Sequence, residues 1–181
     1  MNRRQFAKAL GLLSAGSLLL PAFVVNAKEY LTLEQAKQLL WPDTAMEKIA
    51  LTLTEEQADA IESASDVRVR NKVMNVWKVD GGGWFIVDQV IGKHENIDIA
   101  FAYNQDGTFK DFEILTYRET YGYEVANPKW RQQFRGVDYR QHLKLDKQII
   151  NISGATLSSR HVTDGINRLN NTWNLVLKNL A

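Results

Sequence analysis

A short run of small and hydroxylated residues, Ser153-Gly154-Ala155-Thr156-Leu157-Ser158-Ser159, is the part of this 181-residue chain best equipped for chemistry. It follows a strand-like stretch and opens an apolar stripe of helical period. The first amides of a helix have no intrahelical partner, and the helix dipole makes that end attractive to an anion. Gly154 can take backbone conformations closed to other residues, and Ala155 keeps the approach clear. Thr156, Ser158 and Ser159 add hydroxyls able to hydrogen-bond or to be esterified. The junction reads as a phosphate seat. It also reads as an ordinary loop and N-cap, with Thr156 or Ser158 capping, and composition alone favours that commoner fate.

Other polar residues stand at the ends of strand-like segments. Lys93 and His94 serve either as cation and proton relay beside a ligand or as solvated turn groups. Glu119 and Thr120 follow a strand ending at Tyr117, and Gly122 permits close backbone approach. Trp84, Trp130, Trp173, Tyr121 and Tyr123 offer faces for stacking, although each is individually better placed as a core or rim residue. Arg160 and His161 fall in the first turn of the last helix, where a solvated face is the commoner role than a phosphate contact. The three histidines are far apart and in no ligand spacing, which argues against a histidine metal site. The absence of cysteine excludes disulfides, thiolate metal sites, Cys-ligated iron–sulfur clusters and a CxxCH haem attachment.

The elements that must position these groups follow from local signals. Thr32-Leu33-Glu34-Gln35 and Thr54-Glu55-Glu56-Gln57 are capping boxes. The first opens a helix through Leu39 and Leu40 that stops at Pro42, and the second a short helix through Ala58 and Ile61. Strands are expected over Met46 to Leu53, Val67 to Val79, Trp84 to Ile91, Ile97 to Tyr103 and Phe109 to Tyr117. Asp80-Gly81-Gly82-Gly83 and Gln105-Asp106-Gly107 mark turns between them. Pro128 to Phe134 predicts a short helix, and Lys144 to Ile152 a further strand. Leu157, Val162, Ile166, Leu169, Trp173, Val176, Leu177 and Leu180 recur mostly at steps of three and four, the stripe of a long amphipathic helix. The expected fold is α+β, an antiparallel sheet packed by a long C-terminal helix and short N-terminal helices.

With 45% hydrophobic residues, the chain can bury one modest core. Residues 1–27 carry Arg3, Arg4 and Lys8, no acid, and an apolar stretch from Ala9 to Val25, which reads as a signal peptide. Val25-Asn26-Ala27 suits a cut before Lys28. An uncleaved membrane anchor is the less favoured reading, the stretch being short and broken. Asn2-Arg3-Arg4-Gln5-Phe6-Ala7-Lys8 resembles the twin-arginine export motif, with Asn2 and Ala7 in place of its usual Ser or Thr and Leu. A bacterial periplasmic location is expected, with residues 28–181 as one domain. The near-balanced charge of +1 argues against a nucleic-acid partner.

Ser153-Gly154-Ala155-Thr156, followed by Leu157-Ser158-Ser159, resembles the flavinylation motif of the FMN-binding domain family. That family includes flavin-bearing subunits of the sodium-pumping NADH:quinone reductase and of the Rnf electron-transport complex. Gly92-Lys93-His94-Glu95, Trp130-Arg131-Gln132-Gln133-Phe134 and the last helix extend the likeness, from about Trp77 to Leu180. Glu119-Thr120-Tyr121-Gly122 is similar to the family's Glu-Thr-Pro-Gly loop beside the flavin, with Tyr121 for Pro. The resemblance implies FMN esterified through its phosphate to Thr156, attached from FAD by a separate magnesium-dependent flavin transferase. Ser153, Gly154, Ala155, Ser158, Glu119, Thr120, Gly122 and His94 are the cofactor-binding residues it points to, with no catalytic group of the chain's own. It further implies electron relay between redox partners, a membrane electron-transfer complex or a periplasmic reductase, rather than stand-alone turnover. Ile150 stands where the family motif has Asp. A flavin-free interaction domain of the same fold, and a small reductase with its own substrate, are the alternatives.

Overall fold

The computed structural model describes residues 28–180; the expected signal peptide lies outside the described residues. Both capping boxes form. Thr32 caps α1 (Leu33–Leu40) and Thr54 caps α2 (Glu55–Ser65), each with reciprocal bonds to the Gln at its third position.

The sheet has six strands: β1 (Lys28–Glu29), β2 (Met46–Thr52), β3 (Val73–Val79), β4 (Trp84–Ile91), β5 (Asn96–Tyr103) and β6 (Phe109–Tyr117). Their spatial order is β1-β6-β5-β4-β3-β2, and every neighbouring pair is antiparallel. From β2 to β6 the sheet is a meander of sequential strands. The expected α+β architecture is what the chain adopts.

The sheet is covered on both faces. Ala36 and Leu40 of α1 pack on Trp77, Val79, Phe85, Ala100 and Ala102. On the other face α4 (Thr156–Leu175) lays Val162, Ile166 and Leu169 against Ile86, Ile97, Ile99 and Phe101. The short helix α3 (Pro128–Arg131) and the 3₁₀ turn after it dock Trp130 and Phe134 on Phe112, with the Trp130 and Phe134 rings 5.0 Å apart, edge to face. α2 packs against α4.

Two expectations require correction. The strand expected from Val67 begins only at Val73. Ahead of it the backbone is held by side chains instead of a neighbouring strand: Val67 N donates to Ser65 Oγ, Val69 N to Glu62 Oε1 and Val73 N to Asn71 Oδ1. Lys144 to Ile152 is no strand at all. Lys144 O accepts from Lys147, Gln148 and Ile149 amides at 3.2–3.3 Å, and Asp146 turns through φ 60°, so the chain curls on itself. One isolated bridge, Leu145 to Ile149, is all the ladder it makes.

The helical stripe also ends short at both extremes. Leu157 and Leu180 are exposed, while the members from Val162 to Leu169 are fully buried. In exchange α4 buries polar groups. Asn167 grips both backbone groups of Leu143, at 3.0 and 2.9 Å, and Asn170 links the Tyr103 hydroxyl to the carbonyl of Asp138. These amides fasten the long 135–155 segment to the helix and so fix the approach to its N-terminus.

Candidate functional site

The chain enters α4 through a tight turn, closed by Ala155 N donating to Ile152 O at 3.0 Å. Gly154 occupies its third position with φ +85°, a conformation that disfavours any side chain although the space around it is open. Ser153 is exposed at the second position.

Neither Thr156 nor Ser158 caps the helix. The N-cap is Ala155, which has no side chain to offer, and no side-chain bond replaces it. Ser159 N, donating to Ala155 O at 2.9 Å, makes the first helical bond. The amides of Thr156, Leu157 and Ser158 lie ahead of it, at the positive end of a 20-residue helix. An uncapped N-terminus with an exposed hydroxyl at its first position is the arrangement the capping reading does not produce.

Thr156 is exposed, and its Oγ1 accepts from Asn151 Nδ2 at 3.3 Å. Segment 150–151 is anchored in turn: Ile150 O accepts from the Trp130 indole at 2.7 Å, and Ile150 N donates to Gln133 Oε1 at 2.7 Å. Ser158 is buried. Its Oγ lies 3.0 Å from the Tyr117 hydroxyl, which donates to Tyr121 O at 2.7 Å. Burial pushes the Tyr117 phenol up to about 12, so it stays a proton donor at neutral pH.

These residues open into a cleft of about 460 Å³, within the range of small-ligand sites. Three segments form its walls: Lys93 and His94 from the β4–β5 turn, Glu119 to Tyr121 after β6, and Gly154 to Ser158 at the head of α4. Of the expected residues, Gly154, Ala155, Thr156, Ser158, Glu119, Thr120 and His94 therefore converge. Ser153 and Gly122 do not line the cleft. Gly122 makes its close approach to the protein itself, because a Cβ there would meet Ser158 Oγ at 2.6 Å and Tyr117 OH at 2.7 Å.

Glu119 is turned towards the opposite wall. Its Oε1 accepts from the amides of His94 and Glu95, the latter at 2.9 Å, and so braces the Gly92–Glu95 turn. Burial alone would raise its pKa, but the amides of Glu95, His94 and Lys93 outweigh it and hold the carboxyl below its usual value. Trp84 and Trp130 are core residues, and Trp173 is partly buried against the core. Tyr121, 80% exposed, is the aromatic residue at the cleft, while Tyr123 is exposed beside it in sequence but not in the wall. Arg160 and His161 do not reach the cleft either.

Residues 92–171 match the profile of the FMN-binding domain. The family resemblance seen in the sequence is thereby borne out over this segment. The match begins at the turn that holds Lys93 and His94 and takes in all three walls of the cleft. It starts later than Trp77, where the sequence resemblance begins. Comparison with curated proteins gave no match. For an FMN-binding domain the donor set is apt: an exposed hydroxyl and three unpaired amides at a helix N-terminus can receive the phosphate, with Lys93 across the cleft as a cation. No cluster of His and acidic residues able to hold a metal occurs among the described residues.

Tyr117, Asn151 and Gln133 are the positioning residues that sequence reasoning missed. Tyr117 had one available signal, a tyrosine closing a strand just before the Glu119-Thr120 pair.

Proposed function

We propose that the protein is an exported electron carrier whose FMN is held by a phosphoester to Thr156. The observation that carries this reading is the exposed Thr156 hydroxyl at the uncapped head of α4, on the wall of a ligand-sized cleft. Thr156 Oγ1 is the acceptor: it loses its proton and gains the FMN phosphoryl group from FAD, AMP leaves, and a separate flavin transferase catalyses the exchange. Asn151 and the Trp130–Ile150 anchor hold the segment beside the hydroxyl, and the free amides of α4 and Lys93 stabilise the phosphate charge. Bound FMN supplies one- and two-electron chemistry, while the protein supplies attachment and orientation. The donor and acceptor are redox proteins, membrane-bound or periplasmic. Tyr121 and Leu157, both exposed at the cleft, offer apolar surface for their approach.

Intact mass of protein recovered from the periplasm of a host with the transferase tests cleavage and attachment together. An FMN adduct on residues 28–181 is expected, with in-gel flavin fluorescence that Thr156→Val abolishes. An adduct surviving that substitution refutes the site.

Ile150 favours one other reading, a flavin-free interaction domain. It is 76% exposed at the position of the family's Asp and offers no polar group to a transferase. Unmodified mass after co-expression with the transferase is the outcome that reading requires.

A further inference from the structure

The sheet parts between β3 and β4. Their register runs only from Asn75–Val87 to Lys78–Trp84. Beyond it Val73 and Met74 stay with β2, and Asp88 to Ile91 stay with β5. The wedge between them holds a cavity of about 600 Å³, larger than the flavin cleft. Segment 69–75 forms one wall, Val87 to Ile91 another, and Arg168, Leu169 and Thr172 of α4 the back. Most of these residues precede Gly92 and lie outside the part matched to the family.

The lining carries two carboxylates, Asp88 and Asp98, and two guanidinium groups, Arg70 and Arg168, but both carboxylates are already engaged, Asp98 by Arg118 outside the lining. Asp88 pairs with Arg168 Nη2 at 2.6 Å, and Asp98 with Arg118 at 2.7 Å. Arg168 is 7% exposed, and its buried Nε has no partner, so the guanidinium keeps unused donor capacity. Arg70 also lines the cavity, is exposed, and makes no ion pair among the described residues. Two neutral pairs and one free cation leave a single positive charge at the mouth. Behind it Met74, Ile91 and Leu169 present apolar surface.

We propose that this cavity binds a small monocarboxylate with an apolar body. The carboxylate pairs with Arg70 at the mouth, and the body fills the wedge between Met74, Ile91 and Leu169. One charge matches one charge, and a hydrocarbon body suits walls that hold no further uncompensated ion. The Gly92–Glu95 turn joins the two sites, because Ile91 and Asn96 on its flanks line this cavity while Lys93 and His94 line the flavin cleft.

The test is titration of the full chain, flavin-loaded, with 2-naphthoate, followed by amide chemical shifts. Saturable shifts at residues 70–75 and 88–91 are expected. Binding should weaken by about tenfold or more for 2-naphthamide and for Arg70→Ala, the loss expected for a hydrogen-bonded charge. Arg70→Lys should recover part of it, and flavin-free protein from a host without the transferase should bind equally well, which keeps this result separate from the flavin assignment. The proposal is overturned by no saturable shift at millimolar 2-naphthoate, by equal affinity for the amide or for Arg70→Ala, or by shifts confined to residues 119–121 and 154–158.

Discussion

Gly122 is the most demanding position near the cleft, and Gly122→Ala measures how tightly the head of α4 is fixed. Its φ of +94° alone costs an alanine about 1–2 kcal/mol. The new Cβ would stand 2.6 Å from Ser158 Oγ and 2.7 Å from Tyr117 OH, the two atoms that share a hydrogen bond at 3.0 Å. Relieving such an overlap in a packed site costs about 1–3 kcal/mol. The sum, about 2–5 kcal/mol, lowers the melting temperature of a domain this size by about 4–20 °C. Thermal melts of Gly122→Ala, Tyr117→Phe and the double variant are the assay. Tyr117→Phe removes one of the two overlapping atoms and the bond that the alanine distorts. The double variant should therefore be more stable than additivity predicts, by about 1 kcal/mol. A Gly122→Ala protein melting within about 1 °C of the parent, a small fraction of the shift expected, would falsify the packing account. Strict additivity with Tyr117→Phe would show that the alanine is accommodated away from the hydroxyl pair.

Asn167→Ala leaves the buried N–H and C=O of Leu143 without partners and should cost about 2–4 kcal/mol in urea unfolding; a loss under about 0.5 kcal/mol contradicts the clamp. Glu119 titrates below its ordinary value of 4.5 when folded. Its contribution to stability is thus complete above pH 4.5 and disappears as pH falls through the lower folded value. Glu119→Gln should flatten that limb of the pH–stability curve, and an unchanged limb would remove Glu119 as the brace of the Gly92–Glu95 turn.

Much of this protein was written in signals only a few residues long. Thr32 and Thr54 meet their Gln partners within one helical turn, so the caps and helix starts could be read directly. Period-two alternation located β4, β5 and β6, and the Ser153–Ser159 run located both the turn and the head of α4. The FMN resemblance rested on the same contiguous stretches, which is why it survived comparison with the family.

What the tertiary structure alone decided depends on partners far apart in the chain. Lys144 to Ile152 reads as strand-like, yet among the described residues no neighbouring strand pairs with it, and its amides turn back on Lys144 O. Asn167 and Asn170 look like the wet side of a helix until the 135–155 segment is laid over them. Glu119 braces a turn some 25 residues away, and Tyr117 reaches Ser158 across 41. Ala155 became the N-cap because the Ile152–Ala155 turn delivered the chain one residue early, leaving the Thr156 hydroxyl outside the cap. Local spacing fixes which backbone conformations a segment prefers. Which side chains meet across the sheet is set by packing, and packing is not a local property.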